Sequence, residues 1–276
     1  MRIIADSATL YSPEEGAALG VTIVPACVVL DGKTYRDYVD ISSEEFLEKI
    51  EAGGVPTSSQ PAIGDVMDVF EGAEEEIFFF SVGDGLSGTY QNAVGAKNCL
   101  EPNAHIHVFN SKTLAGPERY MVKKAVEMAK AGASREDLIR EIDACIESSV
   151  SFVIPVDFDF LKRSGRLTPI AAKVGGLMKI VPVMTQTEDK TRIELFTIKR
   201  SRKKAVGSII EHLKSMGVNE NYLVTVGHGG APDTAEAVRE QIAEAVPEAE
   251  IEVLMLAPAL ITHGGPGCIT VQAVRK

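Results

Sequence analysis

Three short stretches of this 276-residue sequence gather hydroxyls and glycines in a way that could hold an anion. The first is Pro56-Thr57-Ser58-Ser59-Gln60-Pro61. Each proline fixes its own φ and steers the preceding residue away from helix, so three adjacent hydroxyls are expected on an ordered, extended loop. The second is Leu86-Ser87-Gly88-Thr89-Tyr90, where a helix should begin. N–H groups at a helix start, joined by the hydroxyls of Ser87 and Thr89, suit a carboxylate as well as a phosphate. The third is His263-Gly264-Gly265-Pro266-Gly267. Its glycines let backbone come close to a bound group, and its histidine can share a proton near neutral pH.

Other chemistries compete for some of the same residues. Gly83-x-Gly85-x-x-Gly88 fits the dinucleotide fingerprint by letter and sits between an expected strand and an expected helix. The next strand ends in Asn110, not in the acid that would hold a ribose. An oxidoreductase binding a dinucleotide at Gly83–Gly88 therefore stays as an alternative reading. His105 and His107 share one face of an expected strand, but no third ligand accompanies them, so no metal is expected. His228, among glycines after a strand, suits a structural role as well as a functional one. The sequence has neither a Walker motif nor a Gly-x-Ser-x-Gly elbow, and no residue is assigned as catalytic. Arg200, Arg202, Lys203 and Lys204 open a helix, where cations oppose the dipole. With Lys162, Arg163, Arg166 and Lys179 in the same half, they are expected to form a basic patch for an acidic partner or a phosphorylated ligand.

The elements that must position these residues alternate between strand and helix, which makes the chain α/β. Arg2-Ile3-Ile4-Ala5 reads as a buried strand ending at Asp6-Ser7-Ala8-Thr9, the end where ligands gather in open α/β sheets. Asp31-Gly32 between apolar runs marks a hairpin. Ser42 with Glu45 forms a capping box, and Ser134 with Asp137 signals a further helix start. Ile77–Val82 is an unbroken apolar run, the mark of a strand covered on both faces. Lys173-Val174-Gly175-Gly176 should lead into a strand over Ile180–Thr185, followed by a hairpin tip at Glu188-Asp189-Lys190. A boundary near Ser148–Ser151 divides the chain into an N-terminal unit, 1–149, and a C-terminal unit, 150–276.

Bulk properties narrow the partners. A net charge of −11 excludes nucleic acid and leaves at most transient contact with a membrane. Four scattered cysteines read as reduced thiols, and Met1–Asp6 reaches an acid before a signal sequence could form, so a cytoplasmic location is expected.

In order along nearly the whole chain, these stretches resemble the DegV family, fatty-acid-binding proteins that include the FakB subunits of bacterial fatty acid kinase. The resemblance rests on Asp6-Ser7, Asp31-Gly32 with Asp37 and Asp40, Ser58-Ser59-Gln60-Pro61, and Leu86-Ser87-Gly88-Thr89-Tyr90-Gln91. It continues through Ser111-Lys112, Leu161-Lys162 with Gly165-Arg166, Arg200–Lys204, and His263 with Gly265-Pro266-Gly267. It implies two α/β domains, the first with a mostly parallel sheet and the second with a mixed one. A ligand tunnel between them would hold a long-chain fatty acid. By matching position, Ser58 and Ser87 would hold the carboxylate, with Ser59, Gly88, Thr89, His263 and Gly264 around it and no buried Lys or Arg. Arg166, Arg200 and Arg202 would face a separate fatty acid kinase catalytic subunit, which makes the acyl phosphate. Beyond the fatty acid itself, no cofactor is implied. A lipid-transport module without a kinase is the third reading. Ser58 stands where the family usually has Thr, Ser164 and Gly264 replace a frequent Gly and Thr, and Asn110 replaces a frequent Asp.

Overall fold

The structure, a computed structural model, describes residues 1–173 and 180–276. The lead-in at 174–176 and Lys179 of the expected basic patch lie outside the described residues. The N-terminal part is built on four parallel strands in the order β2-β1-β6-β7: β1 (Arg2–Asp6), β2 (Val21–Val24), β6 (Ile77–Ser81) and β7 (Ile106–Asn110). The run Ile77–Phe80 is fully buried because helices cover both faces. Phe78 and Phe80 pack with Met121 and Val122 of α5 (Gly116–Lys130) and Leu138 and Ile142 of α6 (Arg135–Ser148). Ile77 and Phe79 point the other way, onto Val66 and Phe70 of α3 (Ile63–Phe70) and Ala93 and Ala96 of α4 (Thr89–Asn98). The chain leaves β1 toward one edge of this sheet and β6 toward the other. The carboxyl ends of these two strands thus form a topological switch point, where a crevice opens.

A three-stranded antiparallel sheet leans over that crevice: β3 (Cys27–Leu30), β4 (Lys33–Arg36) and β5 (Thr57–Ser59). Asp31 and Gly32 take positive φ of 51° and 77°, as the expected hairpin turn requires. Here the expected loop at Pro56–Pro61 is corrected to a strand. Thr57–Ser59 pairs with β3 at a sheet edge, and the prolines bound it because proline cannot donate to a ladder. Helix α2 (Ser43–Glu51) follows β4 and begins with the expected capping box, in which Ser42 and Glu45 bond each other's backbone N–H.

The C-terminal part is a six-stranded mixed sheet in the order β10-β9-β8-β13-β11-β12. Its strands are β8 (Val150–Ile154), β9 (Val181–Gln186), β10 (Ile193–Lys199), β11 (Tyr222–His228), β12 (Glu250–Met255) and β13 (Ile269–Arg275). Helices α8 (Arg202–Ser215) and α9 (Pro232–Ala245) bury one face of it. The other face turns toward the crevice. Two short helices there show no periodic signal in the sequence, and the second replaces the expected turn at His263. Asp157 caps α7 (Phe158–Ser164), and Gly165 ends it at φ 72°. Helix α10 (Pro258–Gly264) opens with proline, as helix starts favour, so His263 lies in its last turn and not in a loop.

The two parts meet through close packing. At Gly116, the first residue of α5, an added Cβ would lie 1.9 Å from Thr225 Oγ1 on β11. That contact admits only glycine. Gly116→Ala is expected to cost at least roughly 1–3 kcal/mol of stability, the usual penalty of overpacking a core. A urea-unfolding midpoint equal to that of the unmodified chain would contradict this packing.

Candidate functional site

The crevice holds a cavity bounded by the carboxyl ends of β1 and β6, by β5, by α10 and by the open face of the C-terminal sheet. Ser58, Ser59, Ser87, Thr89, His263 and Gly264 all line it, so three stretches far apart in sequence come together. Gly88 caps α4 beside them, where an added Cβ would lie 3.2 Å from Gln60 Oε1. The rest of the wall is mostly aliphatic, with Leu161, Met184, Ile193, Leu256 and Leu260 among its members.

Each of the two principal serines has a donor behind it. Ser58 Oγ lies 2.7 Å from His263 Nε2. Burial, then the nearby Arg166 charge, lowers the His263 pKa to about 3, so the ring is neutral at physiological pH. Its Nδ1 is buried without a partner. An unpaired acceptor lone pair costs less there than an unpaired N–H, which assigns the proton to Nε2. Nε2–H then donates to Ser58 Oγ and leaves the serine proton for a ligand. Ser87 is arranged in the same way. Its Oγ accepts from Thr89 N at 3.3 Å and lies 2.9 Å from Thr89 Oγ1. Thr89, buried at the start of α4, is the residue that backs Ser87. Ser59 has turned its hydroxyl to Gln60 O at 3.3 Å, as the two-residue alternation of a strand directs.

Arg166 departs from the expectation of a site without a cation. It lines the cavity, half-buried, with Nε donating to Leu86 O at 3.0 Å and Nη1 to Ser164 O. Burial lowers its pKa, and a guanidinium keeps its charge nonetheless. Ser164, where the family has glycine, serves this turn by accepting from Arg166 N at 3.1 Å. Arg200 and Arg202 are elsewhere. Arg166 O accepts from Ile193 N at the start of β10, whereas the exposed Arg200 and Arg202 follow its far end, roughly 20 Å along the strand. Among the described residues, Arg166 therefore does not share one patch with Arg200 and Arg202.

Two buried acids that the sequence stretches above include, but without a site role, also shape the site. Asp6, wholly buried in the wall, accepts from Ala8 N and Val82 N, each at 2.8 Å, and thereby spans the switch point. Burial raises its pKa to about 6. Asp37, also fully buried, accepts from Ser7 Oγ at 3.0 Å and from Ala259 N at 3.2 Å. It thus ties the N-terminal part to the first turn of α10, the helix that carries His263. Gly264 is bounded by Cys268, whose Sγ would lie 2.6 Å from an added Cβ, so threonine does not fit there.

The spaces left by the fingerprint glycines are used by the chain itself. An added Cβ at Gly85 would lie 2.6 Å from Thr191 O. Asn110 Oδ1 accepts from Asp84 N and Lys112 N, each at 3.0 Å, a structural role with no ribose in it. His107 bonds Glu76, and among the described residues no cluster could hold a metal ion.

This arrangement can be set beside known proteins. The DegV family model, described as an uncharacterised protein of the DegV family, matches residues 1–276. The chain belongs to the DegV family. A DegV domain-containing protein of Listeria innocua is 32% identical over 276 residues, covering 97% of this chain and 95% of the relative. Among solved structures, a fatty-acid-binding DegV protein from Thermus thermophilus is 27% identical with a TM-score of 0.89, and the match covers 100% of both chains. A stearic-acid-binding protein from Eubacterium ventriosum is likewise 27% identical, with a TM-score of 0.88 over 100% of this chain and 98% of that one. The parallel N-terminal sheet and mixed C-terminal sheet of this DegV chain are those expected from its sequence.

The Asp37 link makes stability depend on pH. Burial, opposed by the Ser7 and Ala259 hydrogen bonds, raises its pKa from 3.8 to about 7. The folded chain therefore holds this proton over a range where the unfolded chain has lost it. The associated stability is complete below about 4 and is lost as pH rises through about 7. Asp6 acts in the same sense; His263, whose pKa is depressed, acts in the opposite one. Asp37→Asn is expected to remove the Asp37 share alone. Urea midpoints at pH 5 and pH 8 should then show the variant gaining on the unmodified chain at the higher pH. A constant difference between the two proteins would refute the assignment.

Proposed function

We propose that this chain is a fatty-acid-binding carrier that buries the acyl chain and presents the carboxylate to a separate kinase subunit for acyl phosphate formation. The carrying observation is the pair of backed serines in a cavity whose remaining wall is mostly aliphatic. Burying a long acyl chain gains up to roughly 10 kcal/mol at ~0.8 kcal/mol per methylene. That gain offsets desolvation of the carboxylate only where the head group finds hydrogen-bond donors. Ser58 and Ser87 would donate to its oxygens. Thr89 and His263 would hold them, and Arg166 would supply a positive field. The solved relatives from Thermus thermophilus and Eubacterium ventriosum, which bind fatty acids, support the same reading.

Presentation is supported by the position of the head-group end. Ser59 and Gly88, which flank the serines, are exposed. A carboxylate there would meet solvent and a docking partner while its tail stayed enclosed. The carrier itself would perform no phosphoryl transfer and would work in the cytoplasm as two units, about 1–149 and 150–276, closed over the ligand. The exposed Arg200 and Arg202 would contact the kinase at a distance from the cavity.

Solvent extraction and mass spectrometry of the purified chain are expected to release a long-chain fatty acid. Ser58→Ala and Ser87→Ala should each weaken binding by roughly tenfold or more, the usual weight of a hydrogen bond to a charged group. Arg200→Ala with Arg202→Ala should leave acid binding unchanged and lower the rate at which a fatty acid kinase catalytic subunit phosphorylates the bound acid. Unchanged retention in the double serine variant would sink the clamp. Unchanged phosphorylation in the arginine variant would sink the docking role.

A further inference from the structure

We infer that Gln272 is the chain-length stop of the cavity, a specificity-determining residue for the acyl tail; this rests on the carrier reading above. Cys268, Thr270 and Gln272 face the cavity in alternation. The next residue in that alternation, Val274, is fully buried in the core beneath α5 and α6, packed with Met121, Val122 and Leu138. The cavity therefore ends at Gln272.

The end wall is a row across three neighbouring strands. Gln272 pairs with Ser151 on β8, and the register Phe152 to Thr185 sets Gln186 of β9 on Ser151's other side. Gln272, only 2% exposed, has its amide fully engaged. Its Nε2 donates to Ser151 Oγ at 2.8 Å and to Leu114 O at 2.9 Å, and its Oε1 accepts from Gly116 N at 3.3 Å. A methyl terminus pressing into this row would break those bonds and replace none of them.

The stop is also stiff. Leu114 and Gly116 flank Ala115, which holds φ 55° and ψ −126°, a conformation costly for a residue with a side chain. Both bonds from Gln272 close around that turn, so the amide cannot swing aside without releasing it. From Cys268, next to Gly264 at the head-group end, to Gln272 the strand covers roughly 14 Å. A strand residue spans three backbone bonds in about 3.4 Å, so this stretch accommodates an extended chain of roughly a dozen bonds.

The test is competition among saturated acids from dodecanoic to docosanoic, with the bound mixture read by mass spectrometry. The unmodified chain should show a sharp upper limit of length. Gln272→Ala removes three bonds of side chain, roughly 3 Å by the same spacing, and should raise that limit by two or three carbons. Each methylene newly admitted should favour the longer acid about fourfold. Gln272→Met keeps the volume, gives up the bonds and can yield, so it should raise the limit by less and decides the matter should the alanine variant not fold. An unshifted limit in the folded variants overturns the inference and leaves the carrier reading intact. An unmodified chain that binds no acid of any length overturns the carrier reading, and the stop with it.

Discussion

Polar groups beside an apolar cavity must be satisfied from behind, and this constraint shapes every wall of the crevice. Asp6 is held by two backbone N–H groups, Ser58 by His263, Ser87 by Thr89, and Gln272 by Leu114, Gly116 and Ser151. In each case the supporting group belongs to the chain that walls the cavity. On the carrier reading each serine accepts from behind, Ser58 from His263 and Ser87 from Thr89 N, and can turn its own proton to an anion, unlike a merely sealed polar wall. The amide of Gln272, by contrast, has no unused hydrogen-bonding capacity directed at a ligand. On the carrier reading one end of the cavity would bind and the other would only stop.

The same bonds join the two parts of the chain. Asp37 reaches Ala259, Ser43 Oγ donates to Leu256 O at 2.8 Å, Arg166 reaches Leu86, and Gln272 reaches Leu114 and Gly116. Lys190 donates to Ile146 O and Ser149 O near the end of α6, and burial lowers its pKa to about 8. Burying Asp6, Asp37 and Glu118 is costly, and each has a raised pKa for that reason. Glu118 has both oxygens buried without partners and is held neutral by that burial, followed by the Asp6 charge. The fold accepts these costs along one seam, where the cavity is, while its sheets are covered by ordinary aliphatic cores.

How much of this could be read from the sequence depended on range. The hairpin at Asp31-Gly32, the capping box at Ser42 and the buried run Ile77–Phe80 are local signals, and each formed as read. Ser58, Ser87 and His263 stood out because unusual residue types clustered within a few positions. Arg166 was expected to face a partner, by the family resemblance; the structure instead has it lining the cavity after the αL turn at Gly165. Asp37 entered only as part of its hairpin stretch, and neither it nor Gln272 carried a local mark of its role. Their roles come from partners 222 and 156 residues away, which only the packed structure brings near. Helices α7 and α10 escaped notice because seven residues are too few to show a helical period.

The placement of α10 ties the proposed head-group site to both parts of the chain. The helix comes from the C-terminal half, yet its first turn is fixed by Asp37 and its last turn meets Ser58, both N-terminal. His263 is thus positioned by a helix held at both ends by the opposite half of the molecule. Ser87 answers it from the N-terminal sheet, and Arg166 bridges from the C-terminal half to the Ser87 loop. No single sheet holds the complete set of donors. On the carrier reading, the head-group site would exist only while the two halves are docked, and the same docking would close the aliphatic wall and set the proposed stop at Gln272. Head-group recognition, enclosure of the tail and limitation of its length would then all follow from one interface.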